Sequence, residues 1–205
     1  MDDIKKIFSY YFTNDEIKKI RKTKVLIAGC GGLGSNVSNI LIRTGFINLV
    51  IIDYDRVEIK NLNRQLFFKN DVGKKKVLAL KKNLLKINTA ARIKTVDKRL
   101  DEKNFEEILK REKPEIIVEA VDIDETKKMI FETSLRMKRF VVMASGIAGY
   151  GDCENIKIIR RDNYTIVGDL IKSVNEFNPL APKVLAVAAM EADEVLRRVL
   201  YDKKG

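Results

Sequence analysis

Short apolar runs alternate along this chain with longer segments in which apolar residues recur every three or four positions. Runs this short, rich in Val, Ile and Leu, are typical of strands buried on both faces of a parallel sheet. The longer segments have the period of helices that bury one face. The pattern predicts strands at residues 24–28, 49–52, 93–100, 116–118 and 140–144, and helices at residues 35–44, 76–87, 101–111, 124–137 and from 182 onward. Strands that alternate with helices imply right-handed βαβ units.

The C-terminal third departs from this alternation. Apolar residues 156–159 and 164–167 flank a polar turn, which predicts an antiparallel hairpin that extends the sheet. We therefore predict an α/β fold with a Rossmann-like, mostly parallel sheet flanked by helices and an antiparallel extension in the C-terminal third. The 205 residues contain no Pro-, Gly- or Ser-rich linker, so a single domain over residues 1–205 is expected.

The N-terminal residues predict two short helices. Apolar side chains recur at helical spacing at Ile4, Ile7, Phe8 and Tyr11. Thr13 and Glu16 have the spacing of a capping box, which predicts that a second helix begins there. Because the first helix is amphipathic, we expect residues 1–23 to pack on their own domain or on a second protomer.

The charge balance is strongly basic, with 40 Lys and Arg against 29 acidic residues and a formal net charge of +11. The cations are scattered through the predicted helices among acids, which favours a solvated surface over a nucleic-acid interface. No nucleic-acid partner is therefore expected. The N-terminus lacks the apolar core of a secretory signal, and no apolar run reaches transmembrane length, so we expect a cytoplasmic protein.

The chain contains no histidine and only two cysteines, Cys30 and Cys153. These residues cannot form a four-cysteine or mixed zinc site, so no zinc is expected. The absence of histidine also excludes histidine-based triads and dyads. Any catalysis by this chain must depend on charge and positioning.

A glycine turn follows the first predicted strand, in the stretch VLIAGCGGLGS. Glycine lets the backbone turn tightly and bring N–H groups close to phosphate oxygens, beside the positive end of the next helix. We interpret the turn as a nucleotide phosphate cradle formed by Gly29, Gly31, Gly32 and Gly34. Asp53 lies about 20 residues beyond the last glycine, the spacing expected of an acid that binds ribose hydroxyls.

The segment after Asp53 adds charged residues that a dehydrogenase site does not need. Arg64 can offer a two-pronged contact to phosphate oxygens, and Lys76 places a point charge at the start of a helix. Together they favour a triphosphate ligand. Asp122 follows the fourth strand, at the edge where open α/β sheets bind ligands.

Four elements in this order resemble the ThiF/MoeB/E1 superfamily of adenylating enzymes. They are the GxGGxG turn at residues 29–34, the pair Asp53 and Asp55, the NLNRQ loop from Asn61 to Gln65, and Lys76. The likeness is greatest to short ThiF-type proteins associated with thiamine biosynthesis. It implies a single E1/ThiF-like adenylating domain.

The resemblance also implies a reaction, a partner and site roles. It implies that ATP adenylates the C-terminal glycine of a small ubiquitin-like sulfur carrier protein ending in Gly-Gly, and that the enzyme is a homodimer. The catalytic residues would be Arg64, Lys76 and Asp122. Of the two nearby acids, Asp122 rather than Asp124 would position Mg²⁺. The nucleotide would be bound by the four glycines of the turn together with Asp53, Asp55 and Asn61. Asp124 is expected to be a helix N-cap.

Two features of the longer relatives are missing from this sequence. There are no CxxC pairs for their zinc site, and residues 168–182 contain no conjugating cysteine. Cys153 lies between two acidic residues, and we do not expect it to be catalytic. Cys30 is expected to be a small packed residue.

Three alternative functions stay open. A nicotinamide-dependent oxidoreductase would share the fold, although no histidine could donate its proton and the cations would be unexplained. A nucleotide-binding module could lack chemistry of its own. A tRNA-modifying member of the superfamily could activate a carboxylate on a tRNA base, for which the basic charge is a mild argument.

Overall fold

The computed structural model describes residues 3–174 and 176–201, with the side chains of residues 3–5 left out. The described residues form a seven-stranded sheet with the order β3-β2-β1-β4-β5-β7-β6. All neighbouring strands are parallel except the pair β6 and β7. The strands are β1 (Lys24–Ala28), β2 (Asn48–Asp53), β3 (Arg92–Asp97), β4 (Ile116–Glu119), β5 (Phe140–Ala144), β6 (Lys157–Arg160) and β7 (Tyr164–Gly168). The predicted fold class, including the antiparallel extension, is confirmed.

Helices cover both faces of the sheet. They are α1 (Asp3–Phe8), α2 (Asn14–Lys22), α3 (Gly32–Arg43), α4 (Lys76–Ile87), α5 (Glu102–Glu112), α6 (Asp124–Arg136) and α7 (Ala181–Leu200). One core cluster joins the sheet to α2, α3, α4 and α7, and a second joins it to α5 and α6. The result is the three-layer arrangement that alternating strands and helices predict.

Strand β1 shows why residues 25–28 are all apolar. Val25 and Ile27 belong to the first core cluster, whereas Leu26 and Ala28 belong to the second. Alternate side chains of a strand point to opposite faces, so both faces of β1 are buried. Burying a Val, Leu or Ile side chain completely contributes about 1.5–3 kcal/mol to the stability of the fold, relative to leaving it exposed.

Among the predicted boundaries that differ from the structure, three have a clear local reason. Helix α3 begins at Gly32 rather than at residue 35, because the end of the glycine turn is already helical. Strand β3 ends at Asp97 rather than at residue 100, since the chain must leave the sheet for Asp101 to cap α5 through the Asn104 N–H. The N-cap of α6 is Ile123, so the expectation that Asp124 caps this helix is wrong by one residue.

The N-terminal helices contact the body of the domain. Phe8 is buried beside Gly45, and Ile17 and Ile20 of α2 are also buried. The capping box is present, because Thr13 and Glu16 bind each other's backbone N–H groups. Helix α1 ends at Phe8, before residue 11. The side chain of Ile4, the first residue of the predicted apolar stripe, lies outside the described residues.

The helices within the described ranges are either too short or too polar to cross a lipid bilayer.

Candidate active site

A cleft of about 810 Å³ opens at the carboxyl ends of the parallel strands. It lies over the adjacent strands β2, β1, β4 and β5. From β1 the chain adds β2 and β3 on one side, and it then crosses to add β4 and β5 on the other side. Open α/β sheets bind ligands at such a switch point. The predicted residues that line the cleft are Gly29, Gly31, Gly32, Asp53, Asp55, Arg64, Lys76 and Asp122.

The glycine turn forms the floor of the cleft and is closely packed from behind. Gly29 has a φ of +103°, and a Cβ atom there would lie 2.4 Å from the carbonyl oxygen of Ala120. A Cβ atom at Gly34 would lie 1.9 Å from the carbonyl oxygen of Gly29. Gly34 lies behind the residues that line the cleft, inside α3. Its geometry gives Gly34 a packing role, whereas Gly31 and Gly32 face the cleft.

Asp53 joins the end of β2 to the glycine turn. Its carboxylate accepts the N–H of Cys30 at 2.6 Å and the N–H of Asp55 at 2.8 Å. Burial raises the pKa of Asp53 above its ordinary value, although Lys76 and the two N–H groups partly offset this effect. A carboxylate offers about four acceptor positions, so two bonds leave capacity for a ligand hydroxyl.

Cys30 itself is fully buried, as expected of a packed residue, and burial raises the pKa of its thiol well above the ordinary value. A thiol in this state is a poor nucleophile.

Lys76 is the first residue of α4, and its ammonium lies 2.7 Å from the carboxylate of Asp55. Burial lowers the pKa of Lys76, but the attraction of Asp53 and Asp55 outweighs burial and the net shift is upward. Lys76 is therefore charged at neutral pH. Its backbone N–H also donates to the carbonyl of Asp55 at 2.9 Å, which fixes the loop after β2 against α4.

Arg64 reaches the cleft from the NLNRQ loop. Its Nη1 donates to Asn63 Oδ1 at 2.8 Å, and its stem lies beside Gly32. Burial lowers the pKa of Arg64, with a partly offsetting attraction from Asp122, and the guanidinium stays charged at neutral pH. Asn36 of α3 donates to the carbonyls of Gly32 and Arg64, which ties this loop to the glycine turn. The sequence analysis did not find Asn36.

Asn61 builds the NLNRQ loop rather than the wall of the cleft. It is buried, its Oδ1 accepts the N–H of Glu58 at 2.9 Å, and its carbonyl accepts the N–H groups of Arg64 and Gln65. Asn61 is not among the described residues that line the cleft. The structure therefore gives this residue a role in loop shape, and its direct contact with ATP stays a prediction.

Asp122 and Asp124 both line the cleft, one on each side of Ile123, the N-cap of α6. No group of three or more acidic, Cys or His residues is placed to hold a metal within the described ranges. Mg²⁺ often binds proteins through one or two carboxylates while substrate phosphates and water supply its other ligands. Asp122 fits that limited role.

Two further cleft residues were missed by the sequence analysis. The side chain of Gln65 is buried, and its Oε1 has no hydrogen-bond partner among the described residues. Lys127 of α6 lines the cleft while its ammonium lies 2.9 Å from the buried carboxylate of Glu119. Gln65 belongs to the NLNRQ motif, which could have indicated it, but no local pattern distinguishes Lys127 from neighbouring lysines.

The far wall of the cleft consists of residues 145–147 and 170–174. Lys183, fully buried in the first turn of α7, lies 2.5 Å from Asp169 and 2.9 Å from Asp152. Asp169 also accepts the N–H groups of Ile171 and Lys172. These contacts, which we call the Lys183 clasp, hold both loops of the far wall against α7.

Comparison with known proteins places this site in a family context. The chain is 28% identical over 177 residues to the tRNA threonylcarbamoyladenosine dehydratase of Haemophilus influenzae, covering 86% of this chain and 63% of that protein. It is 30% identical over 129 residues to the sulfur carrier protein adenylyltransferase of Thermus thermophilus, covering 62% of this chain and 47% of that protein. The chain spans between 36% and 63% of the length of three curated relatives.

The fold also matches a solved structure along nearly its full length. The crystal structure of E. coli tRNA N6-threonylcarbamoyladenosine dehydratase, TcdA, in complex with ATP has a TM-score of 0.86 and 18% identity, covering 96% of this chain and 93% of that chain. At this identity the likeness shows the fold alone. The profile of the ThiF family matches residues 5–204. This chain, with its glycine turn, NLNRQ loop and Lys76 in one cleft, belongs to the ThiF family of E1-like proteins.

Proposed function

We propose that this chain uses ATP to adenylate a carboxylate. The carboxylate oxygen attacks the α-phosphorus of ATP, a new oxygen–phosphorus bond forms, and pyrophosphate leaves with the electrons of the broken bond. The observation that supports this proposal most strongly is the convergence of Arg64 and Lys76 on the glycine floor of one cleft. Two cations beside a phosphate cradle suit a polyphosphate leaving group.

The reaction requires no general base, which suits a chain without histidine. The acceptor carboxylate is already ionised at neutral pH. Arg64 and Lys76 would stabilise the negative charge that develops on the departing phosphates, because both are held in place before the substrate binds. Asp122 would hold Mg²⁺, which supplies further positive charge to the phosphates.

The nucleotide itself would be bound by Asp53 and by the glycine turn at Gly29, Gly31 and Gly32. The Asp53 carboxylate has acceptor positions left for ribose hydroxyls, and the backbone of Gly31 and Gly32 faces the cleft, where a phosphate can bind. Gly34 would act indirectly by allowing α3 to start close to the turn. Asp55 would act through its ion pair with Lys76.

The first candidate acceptor is the C-terminal glycine of a ubiquitin-like sulfur carrier protein, in thiamine thiazole biosynthesis. The similarity to the sulfur carrier protein adenylyltransferase of Thermus thermophilus supports this class. In this proposal the chain works as a homodimer. The aromatic residues Tyr10 and Tyr11, which are 74% and 77% exposed after α1, offer apolar surface for a second protomer.

The second candidate acceptor is a carboxylate carried by a modified tRNA base. The similarity to the tRNA threonylcarbamoyladenosine dehydratase of Haemophilus influenzae extends over more of this chain than the match to the Thermus protein. A net charge of +11 would favour a nucleic-acid substrate. This candidate is the opposite of our expectation from charge scatter that no nucleic acid is bound.

ATP–pyrophosphate exchange tests the reaction and separates the two acceptors. The wild-type chain should exchange pyrophosphate when supplied with a carrier ending in Gly-Gly, or with tRNA that carries the carboxylate. A carrier lacking its last glycine and a tRNA lacking the carboxylate are the matched negative substrates. Exchange with one acceptor alone identifies the substrate class, and no exchange with either contradicts the proposal.

Site variants test the role of the cations. Arg64→Ala and Lys76→Ala should each lower the exchange rate roughly 10²–10³-fold, since each removes a preorganised charge from the transition state. Lys82→Ala is the control, because Lys82 lies exposed on the same helix as Lys76. Rates equal to wild type in both site variants would contradict the assignment.

A further inference from the structure

One lysine of the cleft lies apart from the predicted phosphate site. Lys127 of α6 donates from Nζ to Glu119 Oε2 at 2.9 Å and to the carbonyl oxygen of Ala144 at 3.4 Å. Glu119 ends β4 and Ala144 ends β5. Lys127 therefore bridges the carboxyl ends of two neighbouring strands while 23% of its side chain stays exposed to the cleft.

The partner of this lysine is unusually well enclosed. Glu119 is fully buried, and its second oxygen accepts the N–H of Val121 at 2.8 Å. A buried carboxylate with both oxygens bound has one preferred orientation, so it fixes the ammonium of Lys127 in place. An ammonium has three donors, and two of them are used by Glu119 and Ala144. The third is available to a ligand in the cleft.

The order of the strands gives this donor its position in the site. The glycine turn follows β1 and Asp53 ends β2, which assigns the nucleoside to the β1 and β2 end of the cleft. Strands β4 and β5 follow on the other side of β1. Beyond them, residues 145–147 and 170–174 form the far wall. Lys127 thus lies between the nucleotide end and the far wall of the cleft.

The negative charge of the cleft would repel an acceptor carboxylate unless a cation lies beside it. Four carboxylates line the cleft, from Asp53, Asp55, Asp122 and Asp124. An incoming carboxylate is repelled by the two at the start of α6 unless a nearby cation compensates. Arg64 and Lys76 belong to the proposed phosphate site, and Lys172 of the far wall is paired with Asp152. Lys98 and Arg99 line the cleft directly after β3, at its nucleotide end. Lys127 keeps a donor for the acceptor.

We propose that Lys127 binds the carboxylate of the acceptor and orients it toward the α-phosphorus of ATP. This inference rests on the adenylation reaction proposed above and assigns the acceptor end of the same cleft. It applies equally to a protein C-terminus and to a carboxylate on tRNA, because both present the same group. The ammonium forms a charged hydrogen bond and keeps its proton, and the bonds made and broken are those of adenylation.

The Michaelis constant for the acceptor is the quantity that tests this assignment. Lys127→Gln should raise the acceptor KM in pyrophosphate exchange roughly 10- to 100-fold, the loss expected for one charged hydrogen bond. The dissociation constant for ATP, measured by calorimetry without acceptor, should change less than about threefold. Lys127→Arg should restore part of the lost acceptor affinity. Lys128→Gln is the matched control, because that neighbouring side chain is 75% exposed.

A purely structural role for Lys127 predicts a different result. The loss of a partner for buried Glu119 would then weaken ATP binding, acceptor binding and thermal stability together. The double variant Glu119→Gln/Lys127→Gln, which leaves no unpaired buried charge, carries the same comparison if the single variant does not fold. An acceptor KM equal to that of Lys128→Gln, or equal losses for ATP and acceptor, overturns the proposal.

The failure of this inference can be told from failure of the proposed reaction. Exchange by the wild-type chain that is insensitive to Lys127→Gln refutes the role of Lys127 and leaves adenylation intact. No exchange by the wild type with either acceptor refutes adenylation, and the role of Lys127 is then refuted with it.

Discussion

Gly31 and Gly34 occupy equivalent-looking places in one motif, yet they meet different neighbours. A Cβ atom at Gly34 would lie 1.9 Å from a backbone oxygen that cannot move without opening the turn. At Gly31 the nearest atom to a Cβ would be Gln65 Nε2, at 3.8 Å, and the φ angle is −80°. Gly34 is therefore required by packing, whereas the fold alone does not require glycine at position 31.

This contrast predicts opposite effects of two alanine substitutions. Gly34→Ala should lower the free energy of unfolding by about 1–3 kcal/mol or more, since the added methyl group forces α3 away from the glycine turn. Gly31→Ala should change it by less than about 1 kcal/mol while weakening ATP binding, because its methyl group enters the phosphate floor. Urea denaturation and ATP titration of both variants measure this. Equal stability of the two variants would contradict the distinction.

Glu191 is a second residue whose surroundings the sequence does not reveal. It lies on the buried face of α7, and neither carboxyl oxygen has a hydrogen-bond partner among the described residues. Burial raises its pKa well above the ordinary value, with a further contribution from Glu119 that Lys127 partly offsets. The folded chain therefore holds this carboxyl group protonated where the unfolded chain ionises it.

The linkage of protonation to folding gives this residue a definite pH dependence. A group with a raised folded pKa stabilises the fold below its unfolded pKa, about 4.3 for Glu, and loses that contribution as the pH rises toward the folded pKa. Glu191→Met should therefore raise the free energy of unfolding at pH 7.5 by roughly 1–3 kcal/mol, and the gain should shrink toward pH 4. Urea midpoints at both pH values measure it. Glu125→Met, at an exposed position of α6, is the control and should show no such trend.

Among the elements, those with strong periodicity were predicted and those fixed by side-chain contacts were not. The strands of the parallel sheet were found because residues such as Val25 and Ile51 must be apolar on both faces. The far wall of the cleft, in contrast, consists of segments that follow β5 and β7 without any periodic pattern. Its shape depends on Lys183, a residue whose burial beneath two carboxylates cannot be seen in a helix sequence.

The site shows the same division. Asp53, Arg64 and Lys76 were found because motif and spacing mark them, and all three line the cleft. Asn61 was assigned to the nucleotide because the motif contains it, although its side chain is used within the loop. Lys127 was missed because its partner Glu119 lies eight residues earlier, across the turn from strand to helix. Local sequence carries no record of that pairing.

The Lys183 clasp allows a test at the level of one element. Burial raises the pKa of Asp169, but Lys183 and the N–H groups of Ile171 and Lys172 outweigh it, so the net shift is downward. Lys183→Met removes the charge that keeps this buried carboxylate ionised, which should destabilise the chain by about 3–5 kcal/mol. Hydrogen exchange in residues 169–174 should accelerate.

Lys172→Met is the control for the clasp. Lys172 is 30% exposed and contacts Asp152, so its loss leaves Asp169 paired with Lys183. We expect this variant to cost less than about 1 kcal/mol, as for a partly exposed ion pair. If Lys172→Met loosened residues 169–174 as much as Lys183→Met, the clasp would not be what holds the far wall.

At the scale of the whole molecule, the stability that each ligand adds to the folded chain can distinguish ATP from a dinucleotide. The sheet order and the glycine turn are compatible with either ligand. The cations Arg64 and Lys76 distinguish the two ligands, because both line the cleft and can pair with phosphate charge. ATP with Mg²⁺ brings a more concentrated phosphate charge to these cations than NAD⁺ does, so the two ligands should stabilise the fold unequally.

A ligand that binds only the folded chain stabilises it by about 2.7 kcal/mol when present at 100 times its dissociation constant. For a chain of this size, that corresponds to a rise of roughly 5–10 °C in the unfolding temperature. We expect MgATP to produce this rise and NAD⁺ at the same concentration to produce a clearly smaller one, measured by differential scanning fluorimetry. Lys76→Ala should reduce the ATP effect, because we propose that this ammonium, which lies at the start of α4, binds the phosphates. A larger rise with NAD⁺ than with MgATP, unaffected by Lys76→Ala, would favour the oxidoreductase alternative over adenylation.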